Sequence, residues 1–196
     1  MTAPPNCLEI AEPGPFWFFA YGSLMWDPPF APDETRPARL FGYHRAFCVL
    51  SENYRGTPEK PGLTLGLDRG GSCAGLALRI GATERDRAIR EIEAREMDRD
   101  PIYICRPVRL RLPNRDVNGY TLVVNREDRI YAGKLSFEDT AQRIAASSGK
   151  RGPNIDYLAN TVAHLDEMGI AEGHLHALLR RAAQIQGIVA NGRQND

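Results

Sequence analysis

The sequence predicts an α+β fold with a mixed, mostly antiparallel, barrel-like sheet and helices packed around it. Strand-like apolar runs fill the first two thirds of the 196 residues, one helical segment interrupts them, and apolar positions at helical spacing fill the last third. Residues 1–15, rich in Pro and Ala without periodicity, read as a flexible lead-in. Residues 16–190 read as a single domain and 191–196 as a tail, in keeping with the chain length. The first strand starts at Phe16, where Phe16-Trp17-Phe18-Phe19-Ala20 is apolar throughout, and it breaks at Tyr21-Gly22-Ser23-Leu24. Gly22 is expected to adopt backbone angles closed to other residues, turning the neighbouring N–H groups toward one point. Asp27-Pro28-Pro29-Phe30-Ala31-Pro32 then forms a fixed loop, because proline lacks an N–H and restricts its predecessor.

Arg36 to Leu50 predicts a long strand bent at Gly42, and Leu63–Leu67 and Ala74–Ile80 predict a strand pair turning at Asp68-Arg69-Gly70-Gly71. From Thr83 to Met97 the period changes: Ala88, Ile89 and Ile92 form an apolar stripe, with Thr83 as the expected cap. Ile102–Leu112 and Tyr120–Asn125 return to strand composition. Helices are predicted over Ser136–Ser147, Ile155–Met168 and Glu172–Val189, the first opened by Ser136 three residues before Asp139.

Lys plus Arg and Asp plus Glu both total 25, so the net charge is zero, which argues against nucleic acid or an anionic membrane as the main partner. No apolar run approaches the ~20 residues that span a bilayer, and the N-terminal residues lack a signal-peptide pattern, so a cytoplasmic protein is expected. Cys7, Cys48, Cys73 and Cys105 have no metal-ligand spacing; Cys48 and Cys105 read as core side chains and Cys73 as partly exposed. His44, His164, His174 and His176 lack an evident partner for catalysis.

Three further segments carry unusual chemistry. Ser51 to Gly62, with two glycines and two prolines, is either an ordinary exposed loop or one whose Arg55 clamps a carboxylate. Arg95-Glu96-Met97, followed by Tyr103, reads either as a solvated surface pair or as a site carboxylate, with Arg95 pointing elsewhere on the helix. Gly152-Pro153-Asn154-Ile155-Asp156-Tyr157-Leu158 starts a helix whose Tyr157 is either packed or pocket-lining.

Together these segments resemble the ChaC family of glutathione-specific gamma-glutamylcyclotransferases. The likeness rests on Tyr21 to Leu24 followed by Trp26, then Arg55-Gly-x-Pro-x-Lys-Pro-Gly62, Arg95-Glu96 before Tyr103, and Gly152-x-Asn-x-x-Tyr-Leu158, in that order. The Arg-Glu-Met form resembles bacterial members. Asn53-Tyr54 stands where many members carry Asp-His, and the Met97–Ile102 spacer is more charged than the family's glycine-containing pattern. The resemblance implies a gamma-glutamylcyclotransferase-like fold and cleavage of glutathione to 5-oxoproline and cysteinylglycine, without metal or organic cofactor. It further implies Glu96 as general acid/base, with Ala20, Tyr21, Gly22, Ser23, Leu24 and Met25 cradling the substrate and Arg55, Tyr103 and Tyr157 lining the site. Ser23 is assigned to binding, not to nucleophilic attack. Alternatives are a cyclotransferase for other gamma-glutamyl amines or amino acids, and a non-catalytic gamma-glutamyl-binding module.

Overall fold

In a computed structural model, which describes residues 8, 10, 13–97 and 102–187, five strands close into a barrel in the order β1-β3-β2-β4-β5. These are β1 (Phe16–Ala20), β2 (Glu34–Ser51), β3 (Gly62–Ile80), β4 (Tyr103–Arg111) and β5 (Asp116–Val124). Strand β1 pairs antiparallel with β3 and parallel with β5, while β4 pairs antiparallel with β2 and β5, so the sheet is mixed but mostly antiparallel. Every residue of β1 is buried, which is why its apolar run is unbroken. Residues 1–7, which include Cys7, residues 9, 11 and 12, the Asp98–Pro101 spacer and residues 188–196, which include the end of the expected last helix and the tail, lie outside the described residues. Leu8 and Ile10 are buried, and Arg85 donates to the Ile10 and Gly14 carbonyls.

The chain separates into two compact units: residues up to Ala46 with Leu65–Tyr131, and Phe47–Thr64 with residues from Ala132 onward. In the first, Trp17, Phe19, Leu40, Leu67, Ala77, Leu110 and Val123 form one apolar cluster. In the second, α2 (Phe137–Ala146), α3 (Asn154–Glu167) and α4 (Gly173–Ile185) pack together, and Arg181 grips both oxygens of Glu138 at 2.7 and 2.8 Å. Ser136 caps α2 as expected, its hydroxyl accepting from the Asp139 N–H at 3.1 Å. Among the described residues, no helix is long and apolar enough to cross a membrane.

Several local expectations change. The expected turn at Asp68 to Gly71 is instead the middle of one continuous strand, β3. Gly70 and Gly71 take positive φ (102° and 67°), bending the strand without ending it. The Asp68 carboxylate is occupied by the Arg126 guanidinium (2.6 Å), the Tyr131 hydroxyl (2.9 Å) and the Arg69 N–H (2.8 Å). Burial would raise its pKa; the hydrogen bonds from Arg126 and Tyr131 outweigh that and hold it below the ordinary value. Helix α1 runs over Arg85–Ile92 with Glu84, not Thr83, at its N-cap and no side-chain cap bond. Cys73 is buried, not partly exposed, because it faces into the β-cluster. Two of the histidines have carboxylate neighbours: His176 lies 3.0 Å from Asp166 and His164 3.3 Å from Glu167.

Candidate active site

Strand β1 delivers Ala20, itself buried, into the turn that follows. Ser23–Met25 form a single 3₁₀ turn, held by the Met25 N–H on the Gly22 carbonyl and the Asp27 N–H on the Ser23 carbonyl, both 2.9 Å. The first N–H groups of such a turn, here those of Ser23 and Leu24, have no acceptor within it. Gly22 has φ −133° and ψ −139°, and a Cβ there would meet nothing within 4 Å. The turn is therefore shaped by its hydrogen bonds, and Gly22 leaves an open space beside it.

Two arginines brace this turn. Arg45, buried in β2, donates from Nε to the Tyr21 carbonyl at 2.7 Å and from Nη2 to the Ala74 carbonyl at 2.8 Å. Nothing in the sequence distinguished Arg45 except its position in an apolar strand. Arg95 also reaches the turn, from the π-helical turn over Glu93–Met97 into which α1 widens, a local insertion common at functional sites. Its Nη2 donates to the Ser23 hydroxyl at 3.0 Å, and its Nη1 donates to the Asp27 main-chain carbonyl and lies 3.2 Å from the Asp27 carboxylate. Its Nε lies 3.2 Å from Oε1 of Glu96. Arg95 thus points at the turn, not away from it, and brings Glu96 and Ser23 onto one guanidinium. Both ion-pair side chains are partly buried, at 25% and 22% exposure, so the pair is neither fully solvated nor sealed.

Tyr103, the first residue of β4, is buried and its hydroxyl donates to the Leu65 carbonyl at 2.8 Å. That bond ties β4 to β3.

The second unit holds the remaining candidates together. Arg55 donates from Nη1 to the carbonyls of Arg151 (2.6 Å) and Pro153 (3.3 Å), and its guanidinium lies 5.4 Å from the centre of the Tyr157 ring. Burial is the main reason its pKa is lowered. Tyr157 packs edge-on against Phe47. The Arg55 loop is pressed backbone to backbone on the segment before α3: Asn53 and Tyr54 carbonyls accept from the Lys150 and Arg151 N–H groups, both at 2.9 Å. A Cβ at Gly149 would lie 2.6 Å from the Gly56 backbone, and one at Gly56 2.1 Å from the Gly62 nitrogen, so these positions admit only glycine. Arg151 stacks over the Tyr54 ring at 4.6 Å, so Tyr54 supplies an aromatic plate. Asn154, fully buried, acts as a strand surrogate, accepting from the Leu63 N–H (2.7 Å) and donating to the Leu63 carbonyl (2.8 Å).

The barrel topology is that of solved gamma-glutamyl cyclotransferases. A yeast enzyme of that kind, specific to glutathione, superposes with a TM-score of 0.78 at 20% identity, covering 92% of this chain and 99% of the other. The family described as ChaC-like protein matches residues 16–184, and the chain belongs to it. It is 33% identical over 169 residues to the Escherichia coli (strain K12) glutathione-specific gamma-glutamylcyclotransferase, covering 86% of this chain and 73% of that one. It is 32% identical over 188 residues to the Arabidopsis thaliana gamma-glutamylcyclotransferase 2-3, covering 92% and 93%.

Proposed function

We propose that this protein is a gamma-glutamylcyclotransferase that cleaves glutathione to 5-oxoproline and cysteinylglycine. The observation that carries the site reading is the convergence of Glu96 and Ser23 on the Arg95 guanidinium beside the Tyr21–Met25 turn. The relatives named for this activity match along most of the chain.

In the reaction the substrate's own α-amine attacks its γ-carbonyl carbon. The C–N bond to cysteine breaks, the five-membered lactam closes, and the amine's proton ends on the departing nitrogen; no water is consumed. Glu96 is assigned both transfers, taking the proton from the amine and returning it to the leaving group. Backbone N–H groups of the Ala20–Met25 stretch hold the glutamyl carboxylate or the developing oxyanion. The Ser23 hydroxyl, accepting from Arg95, retains its own hydrogen to donate toward the substrate. Ring closure is intramolecular, so holding the folded glutamyl rotamer supplies much of the acceleration. Arg55, Tyr103 and Tyr157 are assigned to substrate binding, in the roles the family resemblance gives those positions. Residues 16–190 are read as one catalytic domain, supported by a family match that runs through both compact units. A cytoplasmic setting completes the reading, with no nucleic-acid partner, the latter supported by the equal counts of 25 acidic and 25 basic residues.

Purified protein incubated with glutathione is expected to release 5-oxoproline and cysteinylglycine in equal amounts. A thiol-free gamma-glutamyl tripeptide is expected to be cleaved too, since sulfur takes no part. Turnover of gamma-glutamylalanine or gamma-glutamyllysine with glutathione left intact would move the assignment to another gamma-glutamyl substrate.

A further inference from the structure

We propose that Arg95 is a positioning residue that couples the carboxylate of Glu96 to the Tyr21–Met25 turn; this rests on Glu96 being the general acid/base. The three guanidinium nitrogens are divided among three partners. Nε is 3.2 Å from Glu96 Oε1, Nη2 donates to Ser23 Oγ at 3.0 Å, and Nη1 engages Asp27 through its carbonyl and, at 3.2 Å, its carboxylate. A guanidinium is a rigid planar fork, so these bonds set the carboxylate and the Ser23 hydroxyl in a common frame. A lysine ammonium, a point charge on a flexible stem, reaches one of these partners but does not hold all three in that relation.

The division of bonds has a chemical consequence. Accepting from Arg95 directs the Ser23 hydroxyl's own hydrogen away from the guanidinium. Contact through a single carboxylate oxygen restricts rotation of the Glu96 head group. Misplacing a reacting group by an ångström can cost about a hundredfold in rate, so loss of this frame falls on kcat. Asp27, 74% exposed at its side chain, anchors only the outer end of Arg95, and its loss falls on neither reacting group.

The test is a double-mutant cycle with glutathione as substrate, measuring kcat and KM of Arg95→Met, Glu96→Gln and the double variant, with circular dichroism melts of each. Arg95→Met is expected to lower kcat about 30- to 300-fold with KM within about threefold, and to add less than about threefold in the Glu96→Gln background, because it acts through Glu96. Guanidinium ion at millimolar concentration is expected to restore part of the Arg95→Met activity and none of the Glu96→Gln activity. Effects that multiply in the double variant, or a rise in KM alone, overturn the coupling while leaving Glu96 as the base. Near-parental turnover by folded Glu96→Gln overturns the general-base assignment and the coupling with it. Should Arg95→Met not fold, Arg95→Lys decides: a loss of at least about tenfold in kcat supports the proposal, and parental kcat in the folded protein refutes it.

Discussion

Replacing Glu96 by Gln separates proton transfer from architecture, because the amide keeps the shape and an acceptor oxygen for Arg95 but does not take a proton from the substrate amine. The structural cost follows from the pair itself. With N–O separation of 3.2 Å and both side chains roughly a quarter exposed, the ion pair contributes about 1 kcal/mol or less. Gln retains part of it, and at about 2–4 °C per kcal/mol for a domain of this size the melting temperature falls by no more than about 4 °C. The catalytic cost is of another order. A positioned acid/base is worth about 10²- to 10⁴-fold, or about 3–5 kcal/mol of barrier. Initial rates of 5-oxoproline release, followed by chromatography at saturating glutathione, measure the second quantity; a thermal melt measures the first. A folded variant that keeps more than about a tenth of the parental kcat would refute the assignment of Glu96.

Gly22→Ala places a methyl group where the free protein has only open space, so the melting temperature is expected to stay near the parent's while KM for glutathione rises. Unchanged kinetics would show that no substrate atom approaches that side of the turn. Asn154→Ala leaves the N–H and carbonyl of Leu63 buried and unsatisfied, at about 1–3 kcal/mol each, and is expected to lower the melting temperature by roughly 4–24 °C. The Glu172 carbonyl and then the Asp166 carboxylate raise the pKa of His176. Its protonated form is favoured in the fold, so this contribution is fully present below about pH 6.5 and is lost as pH rises through the folded-state pKa. Thermal melts across that range should show a small deficit for His176→Gln at low pH that closes on the alkaline side.

The fold class was legible because long elements carry strong periodicity: β1 as an unbroken apolar run, α2 through α4 as amphipathic stripes with a recognisable Ser136 cap. Asp68 to Gly71 was not. Its residues have turn chemistry, but Asp68 is claimed by Arg126 and Tyr131, partners 58 and 63 positions away. The site divides the same way. The turn at Tyr21 to Leu24 was visible as the break in an apolar run and Glu96 was singled out through the family resemblance, whereas the place of Arg45 depends on which strand passes behind Tyr21. The direction of Arg95 depends on a helical period that changes at Glu93, which propensity does not reveal. Asn154 read as part of a helix start, the glycines at 56 and 62 as parts of a loop, and Gly149 carried no reading of its own. Their contacts make them joints between backbones.

The π-helical turn at Glu93–Met97 makes the spacing of this region intolerant of length change. A π-turn is a single-residue insertion absorbed within a helix, and one residue of α-helix corresponds to a rotation of about 100°. Deleting Ala94 would let α1 continue as a regular helix while swinging Arg95 and Glu96 by that angle away from Ser23. Substitutions across the outer face of α1 are compatible with the site; insertions and deletions between Ile92 and Met97 are not. Among related chains, the number of residues in this stretch should therefore vary less than their identity.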